Sequence, residues 1–84
     1  MYRVFLERAA EKQLKQLSAK LHDRVIAAVQ ALANNPHPAG CRKLTGTDND
    51  WRIRVGDYRI VYEIDDAGTT VTVMKVGLRS EIYR

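Results

Sequence analysis

The residues best suited to chemistry in this sequence are arginines that alternate with apolar residues along the segment Trp51–Tyr62. The segment reads WRIRVGDYRIVY, and an apolar residue at every second position is typical of a half-buried β-strand. Gly56 and Asp57 interrupt the alternation. A two-residue connection led by glycine favours a tight turn, because glycine adopts a positive φ angle without steric cost. The segment therefore predicts a β-hairpin with its basic residues on one face.

The pairing of this hairpin decides which side chains meet. If Val55 lies opposite Tyr58, then Arg54 lies opposite Arg59, and Arg52 shares their face, which we call the arginine face. The other face collects the apolar side chains Trp51, Ile53, Val55, Tyr58, Ile60 and Tyr62. Like charges directly opposite each other destabilise a strand pair by about 0.2–1 kcal/mol, whereas guanidinium groups bind phosphate bidentately. We interpret the arginine face as a phosphate site, with an ordinary solvated sheet face as the alternative.

Other residues suited to nucleic-acid binding flank the hairpin: the basic residues Arg42, Lys43, Lys75, Arg79 and Arg84, and the aromatic Tyr83. If the tail folds back over the sheet, Tyr83 can stack on a base, a contact worth about 1–3 kcal/mol in single-strand binders. His22 and His37 have no partners at the spacing of a metal site or a catalytic triad. Cys41 without a paired histidine is a weak nucleophile candidate. We therefore expect no metal site and no bound cofactor.

Length and composition set the limits of the fold. The 84 residues predict one domain, 1–84, and an apolar fraction of 45% is sufficient for one packed core. The net charge of +4 favours an acidic or nucleic-acid partner. The single cysteine excludes an internal disulfide and fits a cytoplasmic protein. No apolar run approaches the roughly 18 residues of a membrane helix, and the first residues lack a signal-peptide pattern, so no membrane association is expected.

Amphipathic periodicity predicts two helices between a first strand and the hairpin. The strand is predicted at 2–7 and the first helix at 8–17, and the second helix runs from the N-cap Ser18 to about Ala33. Asn34-Asn35-Pro36 ends that helix, because proline cannot continue it. A loop with turn signals covers 37–50, and a further strand covers 69–76 until Gly77 breaks it.

The last two strands are predicted to pair with Ile64 opposite Thr69. Val71 and Val73 then join the apolar face, and the arginine face gains Thr70, Thr72 and Met74. The element order is β-α-α-β-β-β, an α+β fold in which an antiparallel sheet carries a helical hairpin on its apolar face. The position of the first strand in the sheet stays open.

Two segments resemble a known family. RVGDYRIVYEI in the hairpin and VGLRSEIYR at the end of the chain are similar to segments of RelE-type toxins from bacterial and archaeal toxin–antitoxin modules. With the element order, the resemblance covers nearly the whole chain. It implies a RelE-like, microbial-ribonuclease-like fold and a cytoplasmic, metal-independent endoribonuclease that cleaves mRNA in the ribosomal A site and so inhibits translation. It also implies a RelB-like antitoxin and the ribosome with its mRNA as partners.

The resemblance further implies a catalytic set, namely Arg52, Arg54, Arg59, Arg79 and Tyr83, and an RNA- or ribosome-binding set, namely Arg42, Lys43, Lys75 and Arg84. Arg54 and Arg59 would hold the scissile phosphate, and Arg52 a neighbouring one. Arg79 would stabilise or protonate the leaving 5′-oxygen, and Tyr83 would orient a base. Leu78 stands where many relatives have histidine, and arginine stays protonated, so the residues do not identify a general base.

Two other functions stay open on the sequence. ParE-like toxins resemble RelE-type toxins in fold but inhibit DNA gyrase as binding proteins, and they typically lack the basic catalytic set. A plain RNA-binding module would use the arginine face without cleavage. The presence of the catalytic set in one chain favours the nuclease.

Overall fold

Five strands form one sheet in the order β1-β5-β4-β3-β2. The computed structural model describes residues 1–82, with the side chains of residues 1–80. The elements are β1 Arg3–Leu6, α1 Arg8–Lys15, α2 Ala19–Ala31, β2 Arg42–Lys43, β3 Asp50–Val55, β4 Tyr58–Asp65, β5 Thr70–Leu78 and α3 Arg79–Ile82. The predicted α+β class and element order are confirmed. The two-residue strand β2 and the short helix α3 are additions that the periodicity did not predict.

Helices α1 and α2 cover the apolar face of the sheet. Both begin where the sequence predicts, and Ser18 caps α2 by accepting a hydrogen bond from the Leu21 amide through its hydroxyl, at 3.3 Å. The core joins helix and sheet residues, namely Ala10, Leu14, Val25, Val29 and Leu32 from the helical half with Ile53, Val55, Ile60, Tyr62, Ile64, Val71, Val73 and Val76. Within the described residues, no helix has both the length and the apolar character that crossing a membrane requires.

The β3–β4 hairpin has the predicted register. Val55 pairs with Tyr58, Ile53 with Ile60, and Arg54 lies directly opposite Arg59. The turn depends on Gly56, whose φ of 61° lies in the left-handed region that glycine tolerates best. The alternation of the sequence and the turn chemistry agree here, so the local pattern determines the faces.

The predicted pairing of β4 with β5 is wrong by two residues, because Ile64 pairs with Val71 rather than with Thr69. An even shift preserves faces, so Val71 and Val73 still lie in the core. A bulge then follows, since Tyr62 pairs with Val73 but Val61 pairs with Lys75. The extra residue is Met74. As a bulge reverses the alternation beyond it, Val76 enters the core and Lys75 joins the arginine face.

The predicted strand break at Gly77 is also wrong. β5 continues to Leu78, and Gly77 lies directly opposite Arg59 in β4. On its other side β5 pairs in parallel with β1, from Arg3 opposite Thr70 to Leu6 opposite Val73. The first strand is therefore a sheet edge, and β2 is the other edge.

Candidate anion-binding site

The arginine face is the side of the sheet away from α1 and α2. Cross-strand pairing brings two more basic residues to it. Arg42 in β2 lies opposite Arg52, and Lys75 in β5 lies opposite Val61. Val61 is buried but does not belong to the core cluster, as expected for a residue on the opposite face. Its aliphatic side chain provides an apolar floor between the basic residues.

Two pairs of arginines oppose each other on this face. Arg54 faces Arg59 across the hairpin, as the sequence predicts, and Arg42 faces Arg52 across the β2–β3 pair. Sequence patterning missed the second pair, because a two-residue strand has no measurable alternation. Each pair opposes folding by about 0.2–1 kcal/mol. Repeated like-charge pairs favour a face that binds an anion over one that only solubilises the protein.

Arg59 is the buried member of the set. It is only 6% exposed, and its Nε is enclosed without a hydrogen-bond partner among the described residues. A buried charged group that lacks a partner opposes folding. Because Gly77 lies opposite it, no side chain of β5 occupies the position directly across. Despite its burial, Arg59 contributes to the lining of two surface clefts.

Two adjacent clefts open on the arginine face. The first, of about 610 Å³, which we call the hairpin cleft, is lined by Arg54, Asp57, Arg59, Leu78, Arg79 and Ser80. The second, of about 570 Å³, the edge cleft, is lined by Arg42, Lys43, Leu44, Thr45, Thr47, Arg52, Arg59 and Arg79. Arg59 and Arg79 line both clefts and so separate two basic compartments.

Most of the predicted site residues come together in these clefts. Arg79 reaches them because it begins α3 immediately after β5, and α3 contacts both β4 and β5. Lys75 is on the same face but lines neither cleft. Tyr83 and Arg84 lie outside the described residues. Thus the four predicted catalytic arginines are brought together, and of the predicted RNA-binding residues Arg42 and Lys43 join them.

Among the side chains of residues 1–80, the only ion pair within 4.0 Å is that between His22 and Asp23 on α2. Within residues 1–80, the arginine face therefore carries its cations without a neutralising carboxylate in direct contact. Asp57 is the single acidic residue that lines the hairpin cleft among the side chains that the structure describes. Sequence reasoning read it as a turn residue, and the available signal was its place between Arg54 and Arg59 at the hairpin tip.

Behind the site, Tyr62 secures β4 to the loop after α2. Its hydroxyl is buried and donates a hydrogen bond to the Pro36 carbonyl at 2.7 Å. Burial, with a smaller contribution from neighbouring Cys41, raises the pKa of the Tyr62 phenol.

His37 packs edge-to-face on Trp51 with ring centroids 4.6 Å apart. In the described part of the chain, no group of three potential metal ligands forms.

Comparisons with known proteins identify the family. Residues 4–83 match the model described as the ParE toxin of type II toxin-antitoxin system, parDE. The chain is 33% identical to Toxin RelE of Mycobacterium tuberculosis, over 99% of this chain and 87% of that protein. It is 40% identical to Toxin RelG of the same organism, over 77% and 80% of the two chains.

The fold agrees with the sequence matches. A chain in the crystal structure of the archaeal RelE-RelB complex from Pyrococcus horikoshii OT3 superimposes with a TM-score of 0.84 and 27% identity, over 95% of this chain and 97% of that one. The family-model match and the sequence relatives each span most of the chain. The protein therefore belongs to the RelE/ParE family of toxins from type II toxin–antitoxin systems.

Proposed function

We propose that this toxin is an endoribonuclease that cleaves mRNA in the ribosomal A site without a metal ion, and so inhibits translation. The observation that carries the proposal is Arg59, a buried guanidinium opposite Arg54 and shared by two basic clefts, whose Nε has no partner among the side chains of residues 1–80. A phosphate bound in the clefts would compensate the buried charge of Arg59, because phosphate oxygens accept bidentate hydrogen bonds from guanidinium.

The reaction that suits the clefts is attack of the ribose 2′-oxygen on the adjacent phosphorus. A bond forms between the 2′-oxygen and phosphorus, the bond to the 5′-oxygen breaks, and a 2′,3′-cyclic phosphate remains. Negative charge accumulates on the phosphoryl oxygens in the transition state, where preorganised cations stabilise it. Arg54 and Arg59 hold the scissile phosphate. Arg79 donates a hydrogen bond to the leaving 5′-oxygen, which takes a proton from water to become the 5′-hydroxyl product.

The edge cleft holds the neighbouring phosphate. Arg42 and Arg52 face each other there, and Lys43 lines the same cleft. Because Arg59 and Arg79 belong to both clefts, the two phosphates are bound on either side of them. Tyr83 orients a base in this proposal, and Lys75 and Arg84 contribute to the long-range attraction of RNA or the ribosome.

Asp57 supplies the general base that the sequence did not identify. The carboxylate lines the hairpin cleft beside Arg54 and Arg59, the compartment in which the 2′-hydroxyl adjoins the scissile phosphate. A carboxylate is ionised at neutral pH and accepts a proton, which arginine cannot do. The ribosome also aligns the 2′-hydroxyl with the phosphate, and this alignment lowers the barrier for the step.

A RelB-like antitoxin is the proposed partner in the cytoplasm. The solved relatives with this fold include RelE-RelB complexes from archaea. The basic clefts, with no carboxylate of residues 1–80 within 4.0 Å of their cations, favour an acidic antitoxin segment that covers the arginine face or displaces the tail.

Primer-extension mapping of cellular mRNAs after induced expression tests the nuclease. We expect cuts inside translated regions, in frame with codons, that purified protein reproduces on programmed ribosomes. Intact mRNAs with gyrase trapped on DNA would instead support the ParE-like function, which the description of the matching family model favours. Ribosome or RNA binding without cuts would identify a non-catalytic binding module.

A further inference from the structure

Gln13 in α1 lies outside both clefts but connects the helical layer to the end of β5. Its side-chain Oε1 accepts a hydrogen bond from the backbone amide of Val76 at 2.6 Å, across 63 positions of sequence. The side chain is half-buried, whereas the neighbouring Gln16 is exposed. Gln13 therefore has a specific partner that the helical pattern does not require.

The bond replaces a missing strand. β1 pairs with β5 only as far as Leu6 opposite Val73, and the amide of Glu7 makes the last backbone bond, to the Val73 carbonyl at 2.9 Å. The chain then turns into α1. Val76 is 2% exposed, and a buried backbone amide needs an acceptor. The amide oxygen of Gln13 provides it where β1 has ended.

The end of β5, which Gln13 holds, determines where the proposed catalytic residue Arg79 lies relative to Arg59. After the bulge at Met74, β5 places Gly77 opposite Arg59, and Arg79 follows one residue after β5 ends. β4 holds this segment on one side. Gln13 holds it on the other, at a point three residues before Arg79.

We propose that Gln13 is a positioning residue for the anion site. Its amide oxygen fixes the end of β5 beyond the bulge and so holds Arg79 beside Arg59, at the junction of the two clefts. The catalytic consequence rests on the proposed nuclease function, whereas the structural consequence for anion binding does not.

Three variants separate this role from general stability. Gln13→Met preserves length and shape but has no strong acceptor, and Gln13→Glu retains an acceptor. Gln16→Met, at the exposed position directly after α1, is the matched control. The first measurement is NMR of each folded protein titrated with inorganic phosphate. In Gln13→Met we expect the Val76 amide to exchange faster and the Arg79 Nε–H resonance to report phosphate binding weakened about tenfold, the equivalent of roughly one lost hydrogen bond.

The same titration contains its internal control. The backbone amides of α2, which lines neither cleft, should respond to phosphate as in wild type. Gln13→Glu and Gln16→Met should behave as wild type throughout. An unchanged Arg79 response in Gln13→Met, with the Val76 amide exchanging faster, would overturn the positioning role.

The second measurement is single-turnover cleavage on programmed ribosomes. In Gln13→Met we expect the maximal rate per folded molecule to fall about tenfold, with the half-saturating ribosome concentration unchanged and the rate rescued by Gln13→Glu. A rate that falls only with the unfolded fraction would contradict the inference. If wild type binds phosphate at Arg79 but cuts no mRNA, the nuclease proposal fails, and the phosphate titration alone decides the role of Gln13.

Discussion

The helix-covered face of the sheet and the arginine face differ in how their groups are satisfied. On the covered face, aliphatic side chains from both layers are buried together, and the buried phenol of Tyr62 donates a hydrogen bond from its hydroxyl to the Pro36 carbonyl. On the arginine face, two arginine pairs oppose each other, and Arg59 is buried with its Nε unpartnered among the described residues. One sheet thus carries a face that stabilises the fold and a face that opposes it.

This difference between the two faces indicates that function in a small domain is found where side-chain contacts oppose folding. A chain of 84 residues has a free energy of unfolding of only several kcal/mol, so unfavourable contacts on one face need compensation from the other. A protein under selection for stability alone would place carboxylates opposite these arginines. The two faces should therefore respond in opposite ways to substitution.

The largest effect on stability is expected on the covered face. Leu32 is fully buried at the end of α2, and Leu32→Ala should lower the free energy of unfolding by about 2–5 kcal/mol through a cavity in the core. Urea denaturation measures this loss. Cleavage per folded molecule should stay near wild type. Leu21→Ala, at a half-buried position of the same helix, should lower the free energy of unfolding clearly less. Equal losses at both positions would contradict the inference that the buried core of the covered face stabilises the fold.

The largest effect on activity is expected from Arg59→Gln. The change removes a cation from the developing phosphorane and should slow cleavage by about two orders of magnitude or more, by analogy with loss of one oxyanion donor. It also removes the Arg54–Arg59 repulsion, so stability should be unchanged or higher by up to about 1 kcal/mol. A thermal melt and a ribosome cleavage assay measure both quantities.

Two further variants serve as a parallel test and as a control for this result. Arg54→Gln should behave in the same way, and Arg8→Gln, an exposed arginine at the start of α1, should change neither quantity. If Arg59→Gln unfolds early yet cleaves at the wild-type rate per folded molecule, the arginine face is structural and the proposed active site is wrong.

Asp57→Asn should separate binding from chemistry. Loss of the proposed base should slow cleavage by about 100-fold, whereas loss of a negative charge beside three arginines should strengthen RNA binding. Asparagine suits turns as well as aspartate does, so the hairpin should fold. Single-turnover kinetics measure the expected fall in cleavage rate, and a binding titration measures the expected rise in RNA affinity. Asp48→Asn, in the loop before β3, is the control. Weaker RNA binding by Asp57→Asn with an unchanged cleavage rate would exclude Asp57 as the base.

The smallest expected effect is the dependence of folding stability on pH through Tyr62, on the covered face. The pKa of Tyr62 is raised above its ordinary value of 10.0, mainly by burial. Below pH 10 both the folded and the unfolded chain keep the proton, but above it the unfolded chain releases the proton first. Stability should therefore fall as pH rises above about 10, by up to about 1.4 kcal/mol per pH unit.

Tyr62→Phe tests the origin of that slope. It should lower stability at pH 7 by about 1–2 kcal/mol, because the Pro36 carbonyl loses its donor, and it should flatten the decline above pH 10. Tyr58→Phe, at a half-buried position of the same strand, should leave the slope near wild type. An unchanged slope in Tyr62→Phe would show that the decline arises from other groups.

Local patterns in the sequence predict the hairpin and the two helices of this protein. Alternation over Trp51–Tyr62 and the Gly56-Asp57 turn determined the hairpin register and both of its faces, because strand period and turn geometry act over neighbouring residues. The amphipathic stripes and the Ser18 cap located the two helices for the same reason. The Arg54–Arg59 opposition, and with it the prediction of an anion site, followed from the sequence alone.

Tertiary structure decided how distant segments meet. The β4–β5 register, the bulge that moves Lys75 to the arginine face, and the parallel pairing of β1 depend on packing between elements far apart in sequence, so no local pattern encodes them. The two-residue strand β2 exists only because β3 is beside it, and its pairing places Arg42 opposite Arg52. The burial of Arg59, the placement of Arg79 between two clefts and the Gln13–Val76 bond likewise arise only when both layers of the fold assemble.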